Sequence, residues 1–254
     1  MSTESVSVNS RVQSVERAVQ LLKAVAEGSD AETAPVLADR VGLNRSTTWR
    51  LLATLEHHGL LDRDPETNRY SVGHAVAQLA GASRYDALAC RARPLLRRLA
   101  DDTGETVNLA IPHQHQLVYV SQVQAPQVMT ANWLGRAVAL HATSTGKAFL
   151  AWLPEEERAL ALGGVLERYT DKTVTDPAVL QSELREVRRR GHAVSRGELE
   201  RALWGVSAAA LDARERPAAV VSVWGPESRI RARGLRRLGE AAASSARELA
   251  ARLR

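Results

Sequence analysis

Residues 34–73, APVLADRVGLNRSTTWRLLATLEHHGLLDRDPETNRYSVG, constrain the fold more than any other stretch, because they spell two short helices, a tight turn and a hairpin in a fixed order. Leu37, Val41 and Leu43 close a first apolar-faced helix. Gly42 permits the turn, and Asn44 is placed to cap a second helix by accepting from its free backbone N–H groups. On that second helix Leu51, Leu52 and Leu55, with Thr48 at the margin, form the inward stripe, while Arg45, Ser46, Trp49 and Arg50 share the opposite face. Gly59 ends the helix, Leu60-Leu61 begins a strand, residues 64–68 turn the chain, and residues 69–72 return it. Such a winged helix-turn-helix lays an arginine-bearing helix in a major groove and its wing on the phosphates.

Winged helices also serve as protein-interaction modules, and an isolated surface arginine is commonly a solvated charge. Here, however, no carboxylate lies between Asn44 and Leu55, where an ordinary solvated face would intersperse some. The DNA-contact candidates are therefore Asn44, Arg45, Ser46, Thr47, Trp49 and Arg50 on the recognition helix and Asn68 and Arg69 on the wing. Arg11, from the N-terminal arm, is suited to phosphate or the minor groove, and Arg45 or Arg50 to a bidentate bond with guanine.

A chain of 254 residues exceeds one such unit and suggests two domains. Charge argues for DNA by placement only: residues 1–84 hold nine Lys/Arg against ten Asp/Glu, and residues 85–254 hold 25 against 19. The longest apolar runs fall far short of the roughly 20 residues of a membrane span, and residues 1–10 lack the basic start and apolar core of a secretion signal. The single cysteine, Cys90, allows no internal disulfide and no cysteine-rich metal site, so a reducing cytoplasm is the expected home.

The chain is read as a winged helix-turn-helix over 11–73, a linker helix over 74–84 broken near Gly81-Ala82-Ser83, and a larger domain over 85–254. Within the first, residues 12–27 form an amphipathic helix ended by Gly28. In the larger domain a helix over 85–102 carries Leu95, Leu96 and Leu99 inward, with a kink or restart at Pro94 and Cys90 as a small buried hydrophobe. Strands follow at 106–111, 117–121 and 128–134. Helices come next: one over 143–153, one opened by Pro154 as an N1 proline, and one capped by Asp176 that runs to Arg190. A hairpin of 203–211 and 218–224 and a terminal helix over 230–254 complete an α+β domain with helices packed on an antiparallel sheet.

Together these stretches resemble the IclR family of bacterial transcriptional regulators over about residues 11–253. The resemblance is carried by VQSVERAVQLLKAVAEG, LNRSTTWRLLATLEHHGLLDRDPETNRYSVG, ARPLLRRLADDTGETVNLA, LHATSTGKAFLAWLPEEE and VVSVWGPESRI, in that order and spacing. It implies a C-terminal effector-binding domain of GAF-like fold, dimers or dimers of dimers, and partly palindromic double-stranded DNA operators, with repressors and activators both known. Effectors in the family are small metabolites, often organic acids or aromatic compounds. It also implies an effector site over the sheet, formed by the segment holding His141, Ser144, Thr145 and Gly146 and by the strand holding Gly205 and Ser207. A helix N-terminus near 143–146 would offer N–H groups to a carboxylate, and Asn108, Tyr119 and Trp133 would wall the cavity. Where family members often carry an acidic pair and a cysteine, this chain has Ser195-Arg196 and Gly205. Trp204 beside Gly205, with Trp133, then suggests a larger or flatter ligand, although an indole on a strand is most often core.

Other chemistry is weakly supported. Ser144-x-x-Lys147 fits the S-x-x-K pattern of serine acyl-transferases, yet no S-D-N or K-T-G accompanies it. Gly146-Lys147-Ala148 lacks the remainder of a phosphate loop. His113 and His115 lie in a turn with no third ligand nearby in sequence. No catalytic residue, metal or cofactor is assigned. An enzyme built on Ser144 and Lys147, or a DNA-free scaffold, are the two other classes left open.

Overall fold

The computed structural model describes residues 12–28, 31–81, 84–113, 116–124 and 133–253. The chain divides into two compact units, residues 1–84 and 85–254. Arg11 and His115, and most of the strand expected at 128–134, lie outside the described residues.

In the first unit α1 (Gln13–Glu27), α2 (Ala34–Val41) and α3 (Arg45–His57) enclose a core of Leu21, Leu37, Leu52, Leu55, Leu61 and Tyr70. The turn between α2 and α3 rests on Gly42, whose φ of 70° is the left-handed region that a side chain disfavours. Asn44 then caps α3, its side-chain oxygen accepting from the Thr47 N–H at 2.8 Å. Thr48 is fully buried rather than marginal, because its hydroxyl donates back to the Asn44 carbonyl at 3.0 Å and thereby satisfies itself within the helix. The wing is β2 (Leu61–Arg63) and β3 (Arg69–Val72). A third strand that was not anticipated, β1 (Glu32–Thr33), pairs antiparallel with β3 through Glu32↔Tyr70 and Thr33↔Arg69. After the wing comes α4 (His74–Gly81), which groups with the first unit.

The second unit is built on an antiparallel sheet in the order β5-β4-β8-β7-β6, with β4 (Thr106–His113), β5 (Gln116–Val123), β6 (Ala193–Arg196), β7 (Leu203–Leu211) and β8 (Pro217–Pro226). Alternation along the strands sends Val107, Leu109, Val206, Ala208, Val221 and Val223 to one face. There they pack on α5 (Arg84–Thr103), α9 (Glu227–Arg233) and α10 (Leu235–Arg252). The other face meets α6 (Ser144–Leu150) and α8 (Pro177–Arg190), through Ala110, Tyr119, Phe149, Leu150, Leu180 and Leu184. A short α7 (Glu155–Leu162) follows α6.

Several local expectations are corrected. α5 runs through Pro94 without a restart: the carbonyl that Pro94 leaves without a helical donor is that of Cys90, and both residues are on the exposed side. Cys90 is accordingly exposed, since Ala92, Leu95, Leu96 and Leu99 define the inward face. Residues 133–135 form a coil and turn rather than the end of a strand. Contact with β5 begins at the turn itself, with the Gly135 N–H bond to the Tyr119 carbonyl at 2.8 Å, and continues through the Val118↔Ala137 bridge and the Val138 N–H bond to the Leu117 carbonyl at 2.8 Å. Pro154 is the N-cap of α7, not its first helical residue. The terminal helix breaks at Gly234, whose φ of 85° separates α9 from α10.

Candidate functional site

The first candidate surface is the outer face of α3 with the wing. Arg45, Ser46, Trp49 and Arg50 are all exposed there, and Thr47, half-buried, gives its backbone N–H to Asn44. Trp49 keeps 44% of its surface exposed. Arg45, Ser46, Trp49 and Arg50 present one flat apolar ring and two guanidinium groups with no carboxylate among them, a combination that suits base edges and phosphates.

The wing side chains are less free than expected. Asn68 adopts φ 55° and its side-chain oxygen accepts from the Arg63 guanidinium, with the Nε–H at 3.1 Å. Arg69 donates to the Ala31 carbonyl at 2.8 Å, which ties the wing to the segment before β1. Asp64 organises the turn by accepting from the Thr67 hydroxyl and the Glu66 N–H, both at 2.8 Å. Those bonds, the Thr67 hydroxyl first, hold its carboxyl below the usual range. Arg63 was missed in sequence. Its guanidinium lies 5.4 Å from the Trp49 ring centroid, a cation–π contact that joins wing to recognition helix. Only the packing of β2 on α3 brings the two together, so no local pattern pointed to it.

The second site is a cavity of about 550 Å³, open solvent included, over the sheet at the start of α6. Of the predicted residues, Asn108, Tyr119, Trp133, Ser144, Thr145, Ser195, Trp204 and Gly205 line it. His141, Gly146 and Ser207 do not. The His141 Nε2 bonds the Glu167 carbonyl at 2.7 Å and its ring stacks on Tyr169, so it fastens a neighbouring loop. Gly146 lets α6 approach the 140 region: a Cβ there would stand 2.2 Å from the Leu140 carbonyl oxygen. Ser207 sits beneath the floor, its hydroxyl 2.8 Å from that of Ser144 and 3.4 Å from that of Thr145.

Tyr119 donates its hydroxyl to Thr145 at 3.1 Å. Burial pushes this phenol up to about 12, against the smaller downward pull of that bond, so it remains a neutral donor. The N-terminus of α6 is partly used already, since the Thr143 hydroxyl accepts from the Gly146 N–H at 3.0 Å. The second indole of the cavity is Trp224 rather than Trp204. By alternation Trp204 falls with Val206 on the opposite face and packs against that core, bordering the cavity only at the end of β7. Trp224 instead meets Trp133 edge-to-face at 6.1 Å, and Trp133 meets Tyr119 at 6.3 Å. The Trp224 Nε1–H donates to the Asn108 carboxamide oxygen at 2.8 Å, and the Asn108 amide donates to the Val107 carbonyl at 3.2 Å.

Lys147 does not serve Ser144. Its ammonium, 1% exposed, donates to Glu183 at 2.6 Å and to Glu198 at 2.5 Å, while the Ser144 hydroxyl pairs with Ser207. The base that an S-x-x-K nucleophile needs is thus engaged elsewhere. Glu198 in turn holds the segment leading to Leu199, Glu200 and Leu203 at the cavity rim, and its backbone carbonyl accepts from Thr173 at 2.6 Å. Among the described residues no group of three or more His, Cys, Asp or Glu could hold a metal ion, and no helix is long and apolar enough to cross a membrane.

Residues 82–251 match the bacterial transcriptional regulator IclR C-terminal family, and residues 14–65 match the IclR helix-turn-helix domain. The chain is similar to the acetate operon repressor of Salmonella typhimurium, with 35% identity over 95% of this chain and 90% of the relative. Among solved structures, an IclR transcriptional regulator from Alicyclobacillus acidocaldarius superposes with TM-score 0.81 at 28% identity, covering 95% of this chain and 98% of the other. An IclR homologue from Microbacterium hydrocarbonoxydans, solved with 4-hydroxybenzoate, shares the fold at TM-score 0.78 and 22% identity, over 94% of this chain and 100% of that one.

Proposed function

The chain belongs to the IclR family of bacterial transcriptional regulators, and from that premise we propose that it represses neighbouring genes by binding their operator as a homodimer or dimer of dimers. The observation that carries this reading is the α3 face: Arg45, Ser46, Trp49 and Arg50 stand exposed together, with no carboxylate among them. In this account Arg45 or Arg50 reads guanine by a bidentate bond, and Trp49 covers an apolar base edge. Asn44 and Thr47 set the start of the reading helix, and Asn68 holds Arg63 beside it. Arg69 and Arg11 hold phosphate or enter the minor groove. A small metabolite in the cavity of the second unit, held near Ser144, Thr145, Ser195 and Gly205, shifts operator affinity through the α4–α5 connection. The coupling required is about 1–3 kcal/mol.

Fluorescence anisotropy on duplexes from upstream of the protein's own gene and its neighbours, with unrelated duplex and a salt series, tests the reading. Saturable binding that prefers one duplex supports it. Equal, salt-erased binding to every duplex counts against operator recognition.

A further inference from the structure

Trp49 stands on the outer face of α3, between Arg45 and Arg50 around the helix, with 44% of its surface exposed. A side chain so exposed keeps rotamer freedom that binding must remove, at a cost in affinity. Here the wing orders the ring in advance. The Arg63 guanidinium of β2 lies over the indole, its Cζ 5.4 Å from the ring centroid. Arg63 is itself held, because the Asn68 side-chain oxygen accepts from its Nε–H at 3.1 Å and also from its Nη2. Asn68 sits at φ 55°, and its backbone N–H donates to the Asp64 carbonyl at 2.9 Å in the turn that Asp64 organises. Asp64, Asn68, Arg63 and Trp49 therefore make one chain of contacts from the hairpin tip to the reading face. A planar guanidinium fixed along one edge can hold a flat ring in a way that an ammonium cannot. What remains open of the ring is an apolar surface among hydrogen-bonding side chains.

We propose that Trp49 reads the C5-methyl group of a thymine in the operator, and that Arg63 is the positioning residue that fixes the indole for it. The proposal rests on the operator-binding reading and names what one of its side chains recognises. The thymine methyl is the apolar group that base edges present in the major groove, and so the complement of a ring surface, whereas the guanidinium groups of Arg45 and Arg50 match the acceptor atoms of guanine. Burying one methyl against the ring is worth roughly a fourfold change in affinity. Arg63 acts through Trp49 rather than on the base, so its removal takes away discrimination at that thymine.

The test uses the full-length protein and the duplex it enriches from a random library, with each thymine replaced in turn by deoxyuridine, which removes only the methyl. Anisotropy titrations compare the wild type with Trp49→Ala, Arg63→Ala, Arg63→Lys and Asn68→Gly, the last removing the acceptor while suiting the positive φ. Thermal unfolding establishes that each variant is folded. The wild type is expected to lose about threefold to fivefold in affinity at one or two thymines. In Trp49→Ala and Arg63→Ala the same replacements change affinity by less than about 1.5-fold, and in Arg63→Lys and Asn68→Gly the sensitivity is reduced. Methyl sensitivity that survives intact in Arg63→Ala, with a uniform loss on every duplex, would make Arg63 a phosphate contact and overturn the proposal. So would sensitivity that survives in Trp49→Ala, or sensitivity undiminished in both Arg63→Lys and Asn68→Gly. An enriched motif with no methyl-sensitive thymine in the wild type would refute this proposal alone, whereas failure to enrich any duplex would refute the operator-binding reading and this proposal with it.

Discussion

Replacing Lys147 tests how the second unit holds its cavity together. The ammonium is 1% exposed and bonds two carboxylates of unequal environment: Glu198, 9% exposed, and Glu183, 40% exposed. In Lys147→Met, Glu183 regains solvent and contributes little, about 0–1 kcal/mol, because a charge so open to water is well screened. Glu198 has no such outlet and is left as a buried uncompensated charge, which typically destabilises by about 3–5 kcal/mol. With a urea slope of about 2 kcal/mol/M, the unfolding midpoint of the second unit falls by about 1.5–2.5 M. Tryptophan fluorescence follows this unit preferentially, since Trp133, Trp152, Trp204 and Trp224 lie in it and only Trp49 lies outside. The double variant Lys147→Met/Glu198→Leu, which removes the stranded charge as well, recovers most of the loss, whereas Glu183→Gln alone barely moves the midpoint. A Lys147→Met midpoint within about 0.5 M of wild type, or a double variant less stable than Lys147→Met alone, refutes the reasoning.

Further outcomes follow from the same geometry. Arg50→Ala relaxes discrimination between operator and mismatched duplex by about 1–3 kcal/mol if the guanidinium reads a base, and anisotropy on a mismatch panel measures it; a uniform loss with a shallower salt slope assigns it to phosphate instead. Gly146→Ala forces a Cβ into the Leu140 backbone and destabilises the second unit by about 1–3 kcal/mol in urea titration. His192, whose imidazole burial and then Arg190 hold below its usual 6.5, binds its proton more readily in the unfolded chain. Its contribution is therefore present above pH 6.5 and is lost as pH falls through the lower folded value, a slope that His192→Gln flattens in melts taken from pH 7.5 to 5.

Elements framed by local chemistry were legible in the sequence. Asp176, Pro177 and Gly191 bracket α8 at the bounds observed, while Gly42 ends α2 and Asn44 opens the recognition helix. What escaped depends on partners far along the chain. β1 is two residues long and β6 four, and each owes its existence to pairing, with β3 and with β7. The helix at 230–254 carried its own break at Gly234, but a helical period alone does not distinguish a tolerated glycine from one with positive φ. The choice between Trp204 and Trp224 shows the difficulty most directly. One residue of alternation sends Trp204 toward the α5 and α10 core while its neighbour Gly205 faces the cavity, and the register of β8 on β4 brings Trp224 to Asn108. Alternation within 218–224 could have placed Trp224 on the face opposite Val221 and Val223, although not above Asn108. The Arg63 contact with Trp49 had no comparable pattern to reveal it.

The central claim, that α3 and the wing read a particular DNA sequence, is tested most directly by selection of bound duplexes from a random library with the full-length protein, run beside the double variant Arg45→Ala/Arg50→Ala. The account predicts enrichment of one partly palindromic motif by the wild type and its loss in the variant while the fold is retained. Recovery of an unenriched pool by the wild type, or of the same motif by both proteins, would contradict it.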